Sequence, residues 1–464
     1  MDEREDFYIH PAALRILRLT GLALVLLAVC LSAKMAITFC LGLFASGEYV
    51  VKLPGQDYPV VSLADRDSGS DSIDPSLLAE VARTDLLIGG DVMLHLPIVR
   101  TSQTADGFDF DGIFAYVKPY ISSAGFAAVN LETTLSGTEG KKFTGFPNFN
   151  SPDAIARSLH DTGFDLLLTG NNHCYDYGTE GLKRTLSVLQ SSGLATLGTV
   201  ESRDTPRHSI QSVGGIPVGM LCYTFADVDD SGHVTLNSMT ADDAGAGLVN
   251  VFDYDHLSRF YTEIEGELQA MKGSGAEVSV VYIHWGEEYS TVVSDTQEEI
   301  AQQLCDLGVD VIIGSHPHVV QPLQLLESSV DPAHTTVCLY SAGTFLSNLR
   351  ADLLGMPTPH CEDGVLLRLT LVRFNDGSVR VNGVKALPTW VLVRGEDEAR
   401  DFFVLPLDQT VQDWQEAYDL SSDQLSAAKA SYNRTMELLT PGLNRISNYL
   451  IGKNASLDPT LGVG

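Results

Sequence analysis

The sequence is poor in positive charge. Lys and Arg together number 29 against 60 Asp and Glu, so the 464-residue chain has a formal net charge of −31. A chain this acidic repels the phosphate backbone of DNA and RNA, which argues against nucleic acid as a partner. The imbalance suits a domain exposed to salt, but it does not identify a substrate.

The sequence also has no closely spaced cysteine pairs, no internal repeats and no low-complexity tracts. None of the seven cysteines forms a CxxC pair, which excludes the usual spacing of zinc fingers and thioredoxins. Cys30 and Cys40 lie in a hydrophobic N-terminal segment, and the other five are scattered, mostly in apolar runs. Such cysteines indicate buried free thiols that behave as small hydrophobic side chains. A disulfide such as Cys338–Cys361 is the alternative, which the sequence does not decide.

A long hydrophobic segment near the N-terminus predicts a membrane span. Leu19–Ala33 is uncharged, and after Lys34 the apolar character resumes through Ala45; a span needs about 20 residues. A charge in mid-bilayer costs roughly 3 kcal/mol, so either Lys34 reaches an interface or Leu19–Ala33 belongs to a signal peptide. We favour an uncleaved signal-anchor. The preceding Arg4, Arg15 and Arg18 then place the main domain outside the cell membrane.

Composition divides the chain into five parts. From Gly47 to about Glu80 the sequence is rich in Ser, Asp, Gly and Pro without periodicity, which indicates a linker. The predicted parts are a cytoplasmic N-terminus (1–18), a transmembrane signal-anchor (19–45), a linker (46–83), a main domain (84–395) and a helical C-terminal extension (396–464).

Short apolar runs that end in polar clusters recur through the main domain. They are DLLIGGD, FAAVNLE, FDLLLTGNNH, VSVVYIHWGEE and VDVIIGSHPH. Between them, helical patterns cover Ser151–Thr162, Gly178–Ser191 and Gln297–Leu307. Buried strands that alternate with helices predict an α/β fold, in which functional residues gather beyond the carboxyl ends of the strands. Further along, GGIPVGMLCYTF predicts a strand pair, and Val365–Val393 predicts strands with a turn at Asn375–Gly377.

The polar clusters carry the ligand types of a metal site. In GSHPH, His316 and His318 lie two positions apart at a strand end and can point to two neighbouring ions, with Pro317 restricting the backbone between them. The mixed nitrogen and oxygen set fits two divalent ions, Mn, Fe or Zn. Two ions ~3.5–4 Å apart can activate water for attack at phosphorus. The candidate ligands are Asp91, Glu132, Asn172, His284, His316 and His318. His173 is the candidate catalytic residue, which could protonate the leaving group or stabilise the transition state.

Each motif taken alone has an ordinary structural explanation. GGD is usually a turn before a helix, Glu132 could cap a helix, NNH could be a left-handed turn, and His284 could pack in a core with Trp285. The metal hypothesis depends on all five motifs falling at strand ends of one repeating pattern.

Four further residues are candidates for the surroundings of the site. Asp176 and Tyr177 follow His173 and could orient it, although they could equally cap the helix that begins at Gly178. His95 could line the pocket or be an ordinary core or surface histidine. Glu287 could touch the substrate, as could its neighbour Glu288, or both could be solvated. Lys141 and Lys142 could grip an anion, but an exposed loop explains them better.

In order along the chain, GDVMLH, NLETTLSG, TGNNHCYDYG, IHWGEEY, GSHPHVVQ and YSAGTF resemble the capsule-synthesis CapA family, also called poly-γ-glutamate biosynthesis proteins of PgsA type. The resemblance covers roughly Thr84 to Arg373. This family is related to calcineurin-like metallophosphatases. The resemblance implies a layered α/β/β/α sandwich, the six metal ligands given above and His173 in the catalytic position.

Two positions depart from the related patterns. Met93 stands where the phosphatases have a metal-binding histidine, which weakens the case for one of the two metal sites. Thr344 replaces the Asn of the family's YSLGNF motif, so the polar contact of that Asn is in doubt.

The sequence therefore predicts a membrane-anchored, extracytoplasmic protein of capsule or poly-γ-glutamate biosynthesis with a phosphoesterase-like hydrolase site. Its substrate would be a phosphoester or a cell-envelope polymer, and other capsule-synthesis proteins are possible partners. The alternative is a non-catalytic component of a polymer synthesis and export complex. A plain binding protein fits less well, because it does not require the His, Asp and Glu set.

Overall fold

A computed structural model describes residues 78–396 and 400–457 of the chain. The predicted membrane span (19–45) and most of the predicted linker lie outside these residues. Within the described ranges, no helix is both long enough and apolar enough to cross a membrane.

Twenty strands are labelled here in chain order. They are β1 (Glu80–Val92), β2 (Gln103–Thr104), β3 (Gly107–Phe108), β4 (Phe126–Leu131), β5 (Leu166–Leu168), β6 (Ala195–Leu197), β7 (Ser209–Val213), β8 (Ile216–Phe225), β9 (Asp227–Val228), β10 (Val234–Leu236), β11 (Met239–Thr240), β12 (Val251–Phe252), β13 (Val278–His284), β14 (Val311–Ser315), β15 (Leu323–Glu327), β16 (Thr335–Leu339), β17 (Thr344–Leu346), β18 (Asp363–Phe374), β19 (Val379–Arg394) and β20 (Asp401–Pro406), all within the described part of the chain.

The α-helices of the same ranges are short apart from four. They are α1 (Leu96–Thr101), α2 (Lys118–Ile121), α3 (Ala154–Thr162), α4 (Gly178–Ser191), α5 (Leu257–Gly273), α6 (Asp295–Asp306), α7 (Ala351–Leu354), α8 (Trp414–Ala417) and α9 (Ser422–Leu457). Three 3-10 turns complete the set, at Asp111–Phe114, Tyr254–His256 and Pro359–Glu362.

Two large sheets are built around parallel strands. The first has the order β20-β19-β18-β1-β4-β5-β6, with β17 beside β1; β1, β4, β5 and β6 run parallel, and β18 to β20 join antiparallel. The second has the order β12-β8-β13-β14-β16-β15, with β7 beside β8. Its strands are parallel apart from β7 and β15. A small sheet, β9-β10-β11, follows β8.

The two large sheets pack face to face. Ile88 of the first sheet and Val280 of the second belong to one buried cluster. Helix α3 covers the outer face of the first sheet, where Leu159 packs with Val129, and helices α5 and α6 cover the outer face of the second. Each sheet is thus covered by helices on its outer face and by the other sheet on its inner face, as largely parallel strands that are apolar on both faces require. The mixed α/β fold predicted from the sequence is confirmed.

Local predictions succeeded to different degrees. Helix α4 has the predicted bounds, and β18 and β19 flank the predicted turn at Asn375–Gly377. Helix α3 begins at Ala154 and not at the predicted N-terminus, because the Ser151 hydroxyl instead bonds Thr133 at 2.7 Å. The run GGIPVGMLCYTF was wrongly predicted as a strand pair: it forms the turn and the single strand β8, whose partner β7 precedes it.

The chain beyond residue 396 contributes to both sheets. Strand β20 extends the first sheet, and α9 then packs against β19 of the first sheet and β15 of the second. Leu439 and Ile446 of α9 join the core between the sheets. The proposed domain boundary at residue 396 stays a prediction.

The five cysteines of the described ranges are buried and unpaired. This confirms the prediction of free thiols for these positions, and the alternative bond between Cys338 and Cys361 is not formed.

Candidate metal centre

The first sheet supplies two carboxylates at adjacent strand ends. Asp91 is near the end of β1 and Glu132 directly follows β4, and neither is exposed. Asn130 lies between them: its Nδ2 donates to Asp91 Oδ1 at 2.8 Å and to Glu132 Oε2 at 3.1 Å. Asn171 Nδ2 in turn donates to Asn130 Oδ1 at 3.0 Å. The hydrogen-bonded side-chain amides of Asn171 and Asn130 thus hold both carboxylates in position.

Tight backbone packing places Asp91 at this edge. A Cβ atom on Gly90 would come within 2.0 Å of the carbonyl oxygen of Gly343, so only glycine fits there. The close approach lets Asp91 N–H donate to that same carbonyl at 2.9 Å. Thr344 pairs with Asp91 across β1 and β17, and its hydroxyl donates to the carbonyl of His318 at 3.2 Å. The Thr344 side chain thus binds the backbone beside the site.

The second sheet supplies three imidazoles. His284 is the last residue of β13, and His316 and His318 follow β14. His316 and His318 both have left-handed backbones, with φ of 95° and 55°. Non-glycine residues avoid this region, and strain of this kind is typical of functional sites held by their surroundings.

The carboxyl ends of the two sheets meet at one edge, where these side chains come together. His318 Nδ1 lies 2.9 Å from Asp91 Oδ2, and His284 Nε2 lies 3.5 Å from Glu132 Oε1. His284 Nε2 also lies 2.9 Å from Asn172 Oδ1. All six predicted ligands therefore belong to one buried cluster contributed by both sheets.

The cluster has the properties of a cation site. Glu132, His316 and His318 can each offer one ligand atom within 4.8 Å of the others, and so can Asp91, Glu132 and His284. Glu132 belongs to both groups. Its Oε1 and the Nδ1 of His316 are buried without a hydrogen-bond partner. A buried polar atom without a partner is costly, and a metal ion would satisfy both atoms. The donor set and its geometry fit bound metal.

Burial controls the protonation of the imidazoles. Burial, with neighbouring imidazoles, lowers the pKa of His284 and of His316 well below the ordinary value, so both are neutral, as metal ligation requires. Burial also opposes charge on His318, but Glu132 and Asp91 outweigh it and raise the pKa of His318 to about 9. Burial raises the pKa of Glu132. A cation would replace the positive charge on His318 as the partner of these carboxylates.

The predicted catalytic residue lies beside the ligands and is held by a carboxylate. His173 Nδ1 lies 2.8 Å from Asp176 Oδ2, and the side chain of Asp176 is fully buried. The backbone N–H of Phe149 donates to the same oxygen at 2.6 Å, and the Phe149 ring packs edge-on against His173. This contact fixes which nitrogen of His173 faces Asp176 and leaves Nε2 for other chemistry.

The remaining candidates lie around this pair and the cluster. His95 is buried and also packs edge-on with Phe149, with ring centroids 5.2 Å apart. Burial, with His318 and His173 nearby, lowers the pKa of His95 to about 4. Tyr177 bonds Thr144 at 2.8 Å, and the Lys141 ammonium lies 5.3 Å from its ring. The exposed candidates are Glu287, Glu288 and Lys142.

Met93 is no substitute ligand. It is buried in an apolar cluster with Phe149, Val319, Leu349 and Cys361. The side chain at this position therefore contributes to packing and offers no nitrogen or oxygen ligand.

Several residues that hold the candidate ligands in place were not predicted from the sequence. Ser315 Oγ lies 2.8 Å from His284 Nδ1, and Asn237 bonds Asp176 from a separate hairpin. Asn130 lies two positions before Glu132, and Ser315 lies directly before His316. In both cases a polar side chain inside an otherwise apolar strand was the signal that could have identified the residue. Asn237 lies 61 residues from Asp176 and has no such signal.

Comparison with known proteins assigns the chain to a family. The family described as bacterial capsule synthesis protein PGA_cap matches residues 85–349, more than half of the chain. The PGA biosynthesis protein CapA of Bacillus subtilis is 27% identical over 260 residues, 55% of this chain and 61% of that protein. The capsule biosynthesis protein CapA of Bacillus anthracis is 27% identical over 281 residues, 60% of this chain and 63% of that protein. The matches thus span about three fifths of each relative.

Among solved structures, a sulfate thiohydrolase SoxB of Thermus thermophilus in complex with glycerol matches with a TM-score of 0.32 and 15% identity, over 67% of this chain and 42% of that chain. A likeness this distant carries no conclusion about function. The family match covers every candidate ligand of the cluster and the strands that position them, and the chain belongs to the bacterial capsule synthesis protein PGA_cap family.

Proposed function

We propose that this chain is a membrane-anchored, extracytoplasmic protein of capsule or poly-γ-glutamate biosynthesis that uses a dinuclear metal site to hydrolyse a phosphoester-type bond. The fold is proposed to be of the metallophosphatase type. Family membership and the CapA relatives support the capsule context. The apolar segment at residues 19–45 and the arginines before it support the anchor and its orientation.

One observation carries the proposal of two ions: Glu132 belongs to both potential ligand groups. His316 and His318 complete one group, and Asp91 and His284 complete the other. A carboxylate shared by the two groups would offset part of the repulsion between two cations held close together. Asn172 and His284, in contact at 2.9 Å, would share the second ion. The mixed nitrogen and oxygen donors suit Mn, Fe or Zn.

Ions held there would activate a water molecule and neutralise charge at the reacting phosphorus. The chain itself supplies the proton chemistry. Asp176 holds His173 by Nδ1, so that Nε2 can deliver a proton to the leaving group. The burial of Asp91, Glu132 and the imidazoles excludes bulk water and strengthens every charge interaction among them.

The global charge restricts the substrate. A chain with a formal net charge of −31 repels an extended polyanion such as poly-γ-glutamate. A polymer would therefore approach through its end at the metal cluster and not along a broad surface. A small phosphoester or a polymer terminus fits this restriction.

Metal-dependent hydrolysis tests the proposal. The full chain would be stripped of metal, reloaded separately with Mn, Fe or Zn, and assayed with a generic phosphodiester and with poly-γ-glutamate. Loss of a ligand in His316→Ala should reduce turnover by more than about 100-fold, because outer-shell partners alone are worth 10–100-fold. His160→Ala, at a half-exposed position of α3, is the control and should behave as the wild type.

A metal-loaded protein that turns over neither substrate would overturn the hydrolase and support the alternative, a non-catalytic component of a polymer synthesis and export complex. The departure at Met93 is the observation that favours this alternative, since it removes one potential ligand.

A further inference from the structure

The small sheet β9-β10-β11 sends a turn to the candidate site. Strands β10 and β11 pair with Leu236 opposite Met239, so Asn237 and Ser238 form a two-residue turn. Both turn residues have positive φ, 44° and 63°. This conformation favours Asn and Gly. Leu236 is buried against Tyr175 and Leu182, which anchors the hairpin beside the loop that carries His173.

The Asn237 amide holds two other segments together. Its Nδ2 donates to Asp176 Oδ1 at 2.7 Å and to the carbonyl oxygen of Pro147 at 2.8 Å. Both partners are acceptors, so the amide can only be oriented with its NH₂ group towards them. The same Nδ2 lies 3.1 Å from His173 Nδ1. Since both amide hydrogens are already donated, the proton of His173 Nδ1 is left for Asp176 Oδ2.

The two oxygens of Asp176 therefore have different partners. Oδ2 accepts from the Phe149 N–H and faces His173 Nδ1, whereas Oδ1 accepts from Asn237. Within residues 78–396 and 400–457, no second donor to Oδ1 is found. Without Asn237 the carboxylate would be held only through Oδ2, by the Phe149 N–H and His173. Its rotation about the Cβ–Cγ bond would then be less restricted, and the bond that orients His173 would weaken.

We infer that Asn237 is a positioning residue of the active site, and that the β10–β11 turn orients His173 by fixing Asp176. The kinetic part of this inference rests on the proposed hydrolase function. The structural part, the orientation of the imidazole, does not.

Three substitutions separate positioning from mere support of the hairpin. Asn237→Gly keeps the left-handed turn and removes the amide. Asn237→Asp also tolerates the turn, but it sets a second carboxylate against Asp176. Ser238→Gly alters the neighbouring turn position, whose side chain is exposed, and is the matched control. Simple loosening of the hairpin would affect the two glycine variants alike and spare the aspartate variant.

The first measurement is NMR of the full chain with ¹⁵N-labelled histidine, in which the Nδ1–H resonance of His173 is identified by its loss in His173→Gln. We expect a slowly exchanging Nδ1–H signal in the wild type and in Ser238→Gly. Exchange should become about tenfold faster in Asn237→Gly, and the signal should be lost in Asn237→Asp. An unchanged signal in both Asn237 variants would overturn the inference, whether or not the protein is a hydrolase.

The second measurement is the steady-state hydrolysis of a phosphodiester. In Asn237→Gly, kcat should fall about tenfold while KM and the bound metal stay unchanged. The kcat of Asn237→Asp should fall further, and the kcat of Ser238→Gly should equal that of the wild type. A rise in KM with kcat preserved would also overturn the positioning role. If the wild type hydrolyses nothing, the proposed function fails and the NMR result alone decides the role of Asn237.

Discussion

Replacing Asn130 with aspartate should make stability depend on metal. Asn130 is buried between two carboxylates and donates to both, at 2.8 Å and 3.1 Å. Asn130→Asp has nearly the same shape, but it exchanges the donor for an acceptor that carries charge. The substitution therefore places a third carboxylate between Asp91 and Glu132.

The expected penalty is several kcal/mol without metal. Two unit charges about 3 Å apart repel by about 5 kcal/mol at an effective dielectric constant of about 20. Proton uptake limits this cost, because holding an ordinary aspartate protonated at pH 7 takes about 4 kcal/mol. The protonated acid has one O–H for two acceptors, so one hydrogen bond to a charged group, worth about 1.5–3 kcal/mol, is lost as well. With both costs, Asn130→Asp should lose about 6 kcal/mol of stability.

Bound cations should remove most of this penalty, because they neutralise the added carboxylate. The assay is urea unfolding followed by circular dichroism, with chelator and with excess Mn or Zn. Asn448→Asp, the same change at an exposed position of α9, should cost less than about 0.5 kcal/mol in either condition. An equal penalty for Asn130→Asp with and without metal would refute the assignment of Asp91 and Glu132 as metal ligands.

Two further substitutions test how the ligands are held. Gly90→Ala places a Cβ 2.0 Å from the Gly343 carbonyl oxygen and should lower the melting temperature sharply, whereas Gly112→Ala meets no atom within 4 Å and should leave it unchanged; similar melting of the two variants would contradict the packing argument. Ser315→Ala removes the group 2.8 Å from His284 Nδ1 and should weaken metal affinity about 10–100-fold by titration calorimetry. Unaltered affinity would show that Ser315 does not orient His284.

The sequence predicted part of the candidate ligand cluster, because its members terminate apolar strands. In parallel sheets the carboxyl ends of neighbouring strands lie at one edge, so Asp91 and Glu132 had to be close to each other. The contact of these residues with His318 depends on a second sheet packing face to face with the first. That arrangement came only from the family resemblance, since alternation of strands and helices does not distinguish one sheet from two.

The sequence did not predict which contacts the side chains of the intervening segments make. Ser151 is a residue type that commonly caps helices, but its hydroxyl forms a hydrogen bond with Thr133, which follows β4. Helix α3 begins only at Ala154. Asn237 reaches Asp176 across 61 residues through a two-residue turn. Neither partner can be identified from local spacing, because tertiary contacts determine which hydrogen bond each side chain makes.

The metal content of the purified chain tests the central claim most directly. After loading with Mn or Zn and removal of excess ion, elemental analysis should give about two ions per chain for the wild type. Glu132→Gln should lose both, because Glu132 belongs to both ligand groups, while Glu180→Gln, at an exposed position of α4, should retain them. A wild type that takes up no metal under any loading condition, or a Glu132→Gln variant that binds as much as the wild type, would contradict the account.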